Sequence, residues 1–253
     1  MNIFKQQNSA MRKIAVLSLF IGLLILSSCG HKDGKGSLTL KFNPMFGSST
    51  LRLNRTYQAT DGKYYNFSKL RLFLSHIKLV RTDASTVELK PLVYISMSDS
   101  TTLSIPLGDS VGSFTGIQFS VGMDSVQNNT DPASYSDPNM VEAINDFMYW
   151  DASRKFVYIQ LEGVADTVPN PTASSGVSYH VGTDPFYRTV SLSKTFSTSA
   201  SGATTLTLNT DIQKIFTGAN GINIFVNPST QTTDYPGVAQ TFMSNLSQSF
   251  SLQ

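Results

Sequence analysis

From Leu38 onward apolar side chains return at every second position, and few chain geometries satisfy that pattern. Leu38-Thr-Leu-Lys-Phe42 alternates cleanly, Ile117, Phe119 and Val121 interleave with Gly116, Gln118 and Ser120, and Val157, Ile159 and Leu161 oppose Tyr158, Gln160 and Glu162. Leu206 and Leu208 alternate with threonine, and Ile222, Ile224 and Val226 with Asn223 and Phe225. Successive side chains of a strand point to opposite faces, so a period of two gives each strand one apolar and one wet face. Several short strands of this kind, punctuated by turns such as Asp61-Gly62, predict an all-β fold, an antiparallel β-sandwich of Greek-key-like connectivity. Ser68–Val80 differs, because Leu70, Leu72 and Leu74 fall on one face and Phe73, Ile77 and Leu79 on the other. That predicts a strand buried on both faces, entered by a helical turn at Ser68–Leu70, with His76 sharing the Leu70 face by parity.

Short helical insertions interrupt the strands. Asp137-Pro138 supplies an N-cap and a proline at the first helical position, launching a helix over Asn139–Asp146. Asp211–Phe216 reads as a short turn closed by Gly218. Pro236–Ser247 carries Val238, Phe242 and Leu246 four residues apart, the stripe of a C-terminal helix that packs on the sandwich. The loop Asn128–Asp137 is the longest polar stretch, and no linker divides residues 38–253, so they are expected to form one domain.

The first residues answer to a different logic. Lys5, Arg12 and Lys13 precede the apolar run Ile14–Leu26, which ends at Leu26-Ser27-Ser28-Cys29. A basic start, an apolar stretch and small residues before a cysteine describe a bacterial lipoprotein signal over residues 1–28. Cys29 then carries the lipid, and residues 29–37 tether it to the fold. The apolar run is shorter than the ~20 residues a membrane span needs. Anchoring instead rests on buried lipid methylenes at roughly 0.8 kcal/mol each. The expected location is the outer membrane, the cell surface or the periplasm. Loss of the signal lowers Lys+Arg from 19 to 16 against 17 Asp+Glu, a net charge near −1. No basic stripe remains to neutralise phosphates, which argues against nucleic acid as a partner. Cys29 is the single cysteine, so a lipidated Cys29 leaves neither a disulfide nor a thiolate ligand.

Motifs that could carry chemistry are few. Gly108-Asp-Ser110-Val-Gly112 fits the nucleophile-elbow pattern, but the residues after it continue as a strand, not a helix, and no Asp-x-x-His exists. A β-turn explains it better than a hydrolase built on Ser110, and the chain is expected not to be an enzyme. Asp124, Asp131, Asp137, Asp146, Asp151 and Glu162 could pair for acid–base work or gather around calcium. Aspartate before proline, as at 131 and 137, more often caps a turn. His76 and His180 are the histidines within the fold, and Trp150, next to Tyr149, is the single tryptophan.

Taken in order, several segments resemble one family. Phe67–Leu79 resembles a run of the "YYISNIKL" type shared by the MbnP-like (methanobactin-associated) copper-binding proteins. Gly122-Met-Asp124-Ser125, Asp137-Pro138, Met148-Tyr149-Trp150, Leu161-Glu162-Gly163, Tyr179-His180-Val181-Gly182, Leu208–Phe216 and Asn245–Phe250 follow in that family's order. The resemblance implies a secreted β-sandwich, often a Bacteroidetes-type lipoprotein, that binds copper through histidine near a tryptophan which a di-haem partner protein oxidises. Carried over, His180 is a copper ligand and Trp150 the tryptophan. Members usually read "WxWxxGY", where this chain has Trp150-Asp-Ala-Ser-Arg-Lys-Phe156. Many have a His/Met cluster where Gln231-Thr-Thr-Asp-Tyr235 stands, and a histidine near Phe42-Asn43, where Pro44-Met45 follows. The implied site is thus degraded, and His76 or Met45 completes it only if the fold brings them within about 2–2.5 Å of one ion. The expectation is a membrane-anchored, non-catalytic binding protein with copper as implied ligand. The alternative is an envelope module that has lost the metal and holds a protein or glycan through Tyr135, Tyr149 and Trp150.

Overall fold

The computed structural model describes residues 36–169, 174–218 and 220–253. The signal segment, Cys29 and most of the tether lie outside the described residues. Among those described, no helix is long and apolar enough to cross a membrane.

Two sheets make the sandwich. The smaller is centred on β1 (Ser37–Phe46), flanked on one side by β2 (Ser49–Thr50) and β6 (Ser104–Gly108) and on the other by β11 (Ala203–Asp211), with β13 (Phe250–Leu252) beyond. The larger is built around β4 (Tyr64–Arg81). Its path runs β10 (Arg188–Thr198), β7 (Gly112–Val121), β4, β8 (Val157–Asp166), β9 (Ser175–Gly182), β12 (Ser229–Thr230), and β3 (Thr56–Gln58) and β5 (Thr86–Ser96) pair with β4's other edge. Most pairings are antiparallel, as the short turns require. Two are parallel, β1 with β11 and β9 with β12. They join segments far apart in the chain, so turn signals could not reveal them.

Leu40, Phe42, Leu206 and Leu208 from the smaller sheet meet Leu72, Leu74, Phe119, Ile159 and Leu161 from the larger in one core. The outer face of the larger sheet is also covered. Helices α1 (Ser125–Asn128) and α2 (Pro138–Asn145), with the loop after them, bury Met123, Met140 and Met148 against Phe73, Tyr94, Phe156 and Tyr158. Of the apolar residues of β4, this second layer covers Phe73. Helices α3 (Gln213–Thr217), followed by Gly218, and α4 (Pro236–Ser249) pack against strands of both sheets, with Ile215, Phe242 and Leu246 in the main core.

Two bulges in β4 correct the parity expected from the sequence. No helical turn forms at Ser68–Leu70; instead the register with β8 slips between Phe67 and Lys69. Phe67 and Leu70 both face the core, and Lys69 is turned outward. A second slip between Ser75 and Lys78 accompanies a left-handed φ of 50° at His76. An extra residue in one strand flips every later side chain. Ile77 and Leu79 therefore join the face of Leu70, Leu72 and Leu74, and His76 faces outward with Asp124. Ile222–Val226 is not a strand either. Asn223 Oδ1 accepts from the Phe225 amide and its carbonyl from the Asn227 amide, turning the segment back. Ile222 and Ile224 still reach the core, whereas Val226 is 70% exposed.

Candidate binding site on the outer face of the larger sheet

Alternation along β8 sends Ile159 and Leu161 inward and Gln160 and Glu162 outward. The register then lines up two outer rows, Lys69–Glu162–Ser178 and Arg71–Gln160–His180. At their meeting point His180 Nε2 lies 2.7 Å from Glu162 Oε1, and its Nδ1 lies 3.1 Å from Gln231 Oε1. Lys69 Nζ donates to the same Glu162 Oε1 at 2.8 Å. Partial burial raises the Glu162 carboxyl, but hydrogen bonds from Lys69 and His180 outweigh it and hold the group below the usual carboxylate range. Thr232 fixes the backbone: its hydroxyl donates to the His180 carbonyl at 3.0 Å and accepts from the Gly182 amide at 2.9 Å, with φ at 67°.

The single indole stands beside this histidine, with Trp150 and His180 ring centroids 6.0 Å apart and tilted by 50°. Trp150 opens a tight hairpin in which its amide donates to the Lys155 carbonyl at 3.1 Å. Asp151 Oδ1 accepts from the Ser153 and Arg154 amides, and its other oxygen holds the Arg154 side chain, whose guanidinium lies 4.8 Å from the indole centroid. Lys155, at the glycine of the resembled pattern, carries φ 61°. Tyr149 and Tyr135 meet the Phe156 ring edge-on at 5.0 and 6.0 Å. The preceding loop is tied to the sheet by Asp146, which accepts from Arg71 at 3.0 Å and from Tyr94 at 2.5 Å, and by Gln160, which donates to the Phe147 carbonyl at 3.1 Å.

The other expected ligands are elsewhere. His76 sits between Asp124 (Nε2, 2.7 Å) and Glu88 (Nδ1, 3.2 Å). It shares the outer face with His180, but the register sets it two strands across and five residues along, roughly 19 Å away. Met45 lies on the opposite side of the sandwich, on the outer face of β1, where Asn43 contacts its sulfur at 3.2 Å. Asp124, Asp131 and Asp137 are N-caps of short helices, and Asp124 completes a capping box with Gln127. Ser110 is buried in the turn joining β6 to β7, and its carbonyl accepts from Thr198. Sequence reasoning passed over Lys69, Gln231 and Thr232. The polar substitution at 231 was the one visible signal among them.

Copper(I) favours imidazole and sulfur donors. The residues present do not fit it. His180 is one imidazole with both nitrogens engaged, its neighbours offer amide and carboxylate oxygen, and the carboxylate is shared with an ammonium. A cation bound at Nε2 meets that ammonium as a like charge, and the carboxylate that would offset the repulsion is already paired with the ammonium. Among the described residues no three His, Cys, Asp or Glu side chains gather to hold a metal.

Fold and site together define a β-sandwich with a histidine–tryptophan pair on its outer face. The chain belongs to the MbnP family, whose model matches residues 35–238. It is similar in structure to MbnP from Methylosinus trichosporium, with TM-score 0.56 and 12% identity, over 85% of this chain and 97% of that one. None of the curated proteins matches it. Membership supports a binding-type protein.

Proposed function

We propose that this chain is a lipid-anchored, non-catalytic binding protein of the cell envelope that has given up the metal of its family. The observation that carries this is the closed Lys69–Glu162–His180–Gln231 network, which occupies the donors a metal would need. Its ligand is not a stacked glycan. Arg154 covers the Trp150 ring, and the Tyr135 and Tyr149 rings are spent on Phe156, so little aromatic surface is left for stacking a sugar. Anchoring through Cys29 keeps the domain at the membrane, and Cys29→Ala is expected to release it into the soluble fraction. Titration of the mature chain with cuprous and cupric ions, followed by desalting and metal analysis, is expected to leave far less than one copper per chain. Retention of one copper per chain that disappears in His180→Ala overturns the metal-free reading.

A further inference from the structure

We propose that the Lys69 ammonium holds the charge position of a metal ion beside His180, so that an internal cation completes the Glu162–His180 pair and excludes external ones. The inference rests on the metal-free reading above and adds its cause. The bulge at Ser68 is what makes it possible. Continuous alternation from the inward-facing Phe67 would aim residue 69 into the core; the slip turns Lys69 outward and sets it opposite Glu162. One carboxylate oxygen then accepts from Lys69 at 2.8 Å and from His180 at 2.7 Å. Gln231 takes the other imidazole nitrogen at 3.1 Å. A metal ion that binds Nε2 must break the imidazole–carboxylate bond and settle beside a fixed positive charge. Lys69 and Glu162 side chains are 29% and 27% exposed, so solvent screens that charge only partly.

The test compares the full mature chain with Lys69→Leu, which keeps apolar bulk, removes the charge and adds no donor atom, using cupric and zinc chloride as probes. Calorimetric titration is expected to find affinity raised by roughly tenfold or more in Lys69→Leu, since one neighbouring charge acts on this scale. The gain is expected to vanish in Lys69→Leu/His180→Ala. Lys69→Ala replaces the leucine variant if that one fails to fold. Lys69→Arg keeps the charge and must exclude metal as the wild type does; metal uptake by it overturns the proposal. If folded wild type and Lys69→Leu bind equally weakly, Lys69 is not the excluding group, although the metal-free reading stands. If wild type itself holds one His180-dependent metal per chain, that reading falls as well.

Discussion

Phe147 offers a test in which the sign matters more than the size. Helix α2 ends in a Schellman motif, with the Met148 amide bonded to the Ala143 carbonyl and the Phe147 amide to that of Ile144, both at 3.0 Å. The residue after the cap must then be left-handed, and Phe147 has φ 62°. Glycine is usual there, because a side chain in this conformation costs about 1–2 kcal/mol. The ring returns little of that cost, being 75% exposed. Phe147→Ala removes the ring and keeps the strain, whereas Phe147→Gly removes both and gives back about 0.5–1 kcal/mol of unfolded-state entropy. Glycine is therefore expected to exceed alanine at 147 by about 0.5–1 kcal/mol. At Val141, exposed inside the same helix, the order reverses and alanine wins by a similar amount. Urea titrations with unchanged m-values read both differences, and in a domain of this size each kcal/mol moves Tm by about 2–4 °C. Alanine equal to or better than glycine at 147 would refute the assignment of strain to this residue.

Two more outcomes follow from the same outer layer. Gly122 has φ 101°, and an added Cβ would lie 2.4 Å from the Tyr158 ring, so Gly122→Ala is expected to cost about 2–5 kcal/mol in strain and overpacking; a variant with wild-type urea midpoint contradicts this. Glu162, Asp124 and Asp184 have carboxyls held below their ordinary values by their hydrogen bonds, against the opposing effect of burial. Their stabilisation is present above the unfolded carboxylate range and is lost as pH falls through the folded values, so stability is expected to decline below about pH 4. Glu142, raised by burial and by neighbouring Asp99 and Asp146, works in the opposite direction. Urea midpoints that stay level from pH 6 to about pH 3 would deny these three carboxylates a role.

Much of the fold is legible in the residues themselves. The alternation at Leu38–Phe42, Ile117–Val121 and Val157–Leu161 becomes β1, β7 and β8, and Asp137-Pro138 does start α2. The same rule misleads at Ile222–Val226, where the Asn223 side chain closes a turn that alternation cannot register. The candidate site is legible in part. Trp150 and His180 do meet, but His76, assigned by parity, is on the other face from that expected and remote from His180. Aspartates that resemble a cation site as a list are caps once each partner is known.

Periodicity, capping residues and turn signals act over a few neighbouring residues, so the sequence alone determined that this chain folds into strands with a buried face, and roughly where each begins. Tertiary structure decided how those strands pair across long separations, as β1 does with β11. It also decided where β4 slips. A bulge depends on the register of the strands on either side, which no local pattern encodes. One slip turned Lys69 outward against Glu162 and the other did the same for His76 against Asp124, and the chemistry of the outer face followed from those two displacements.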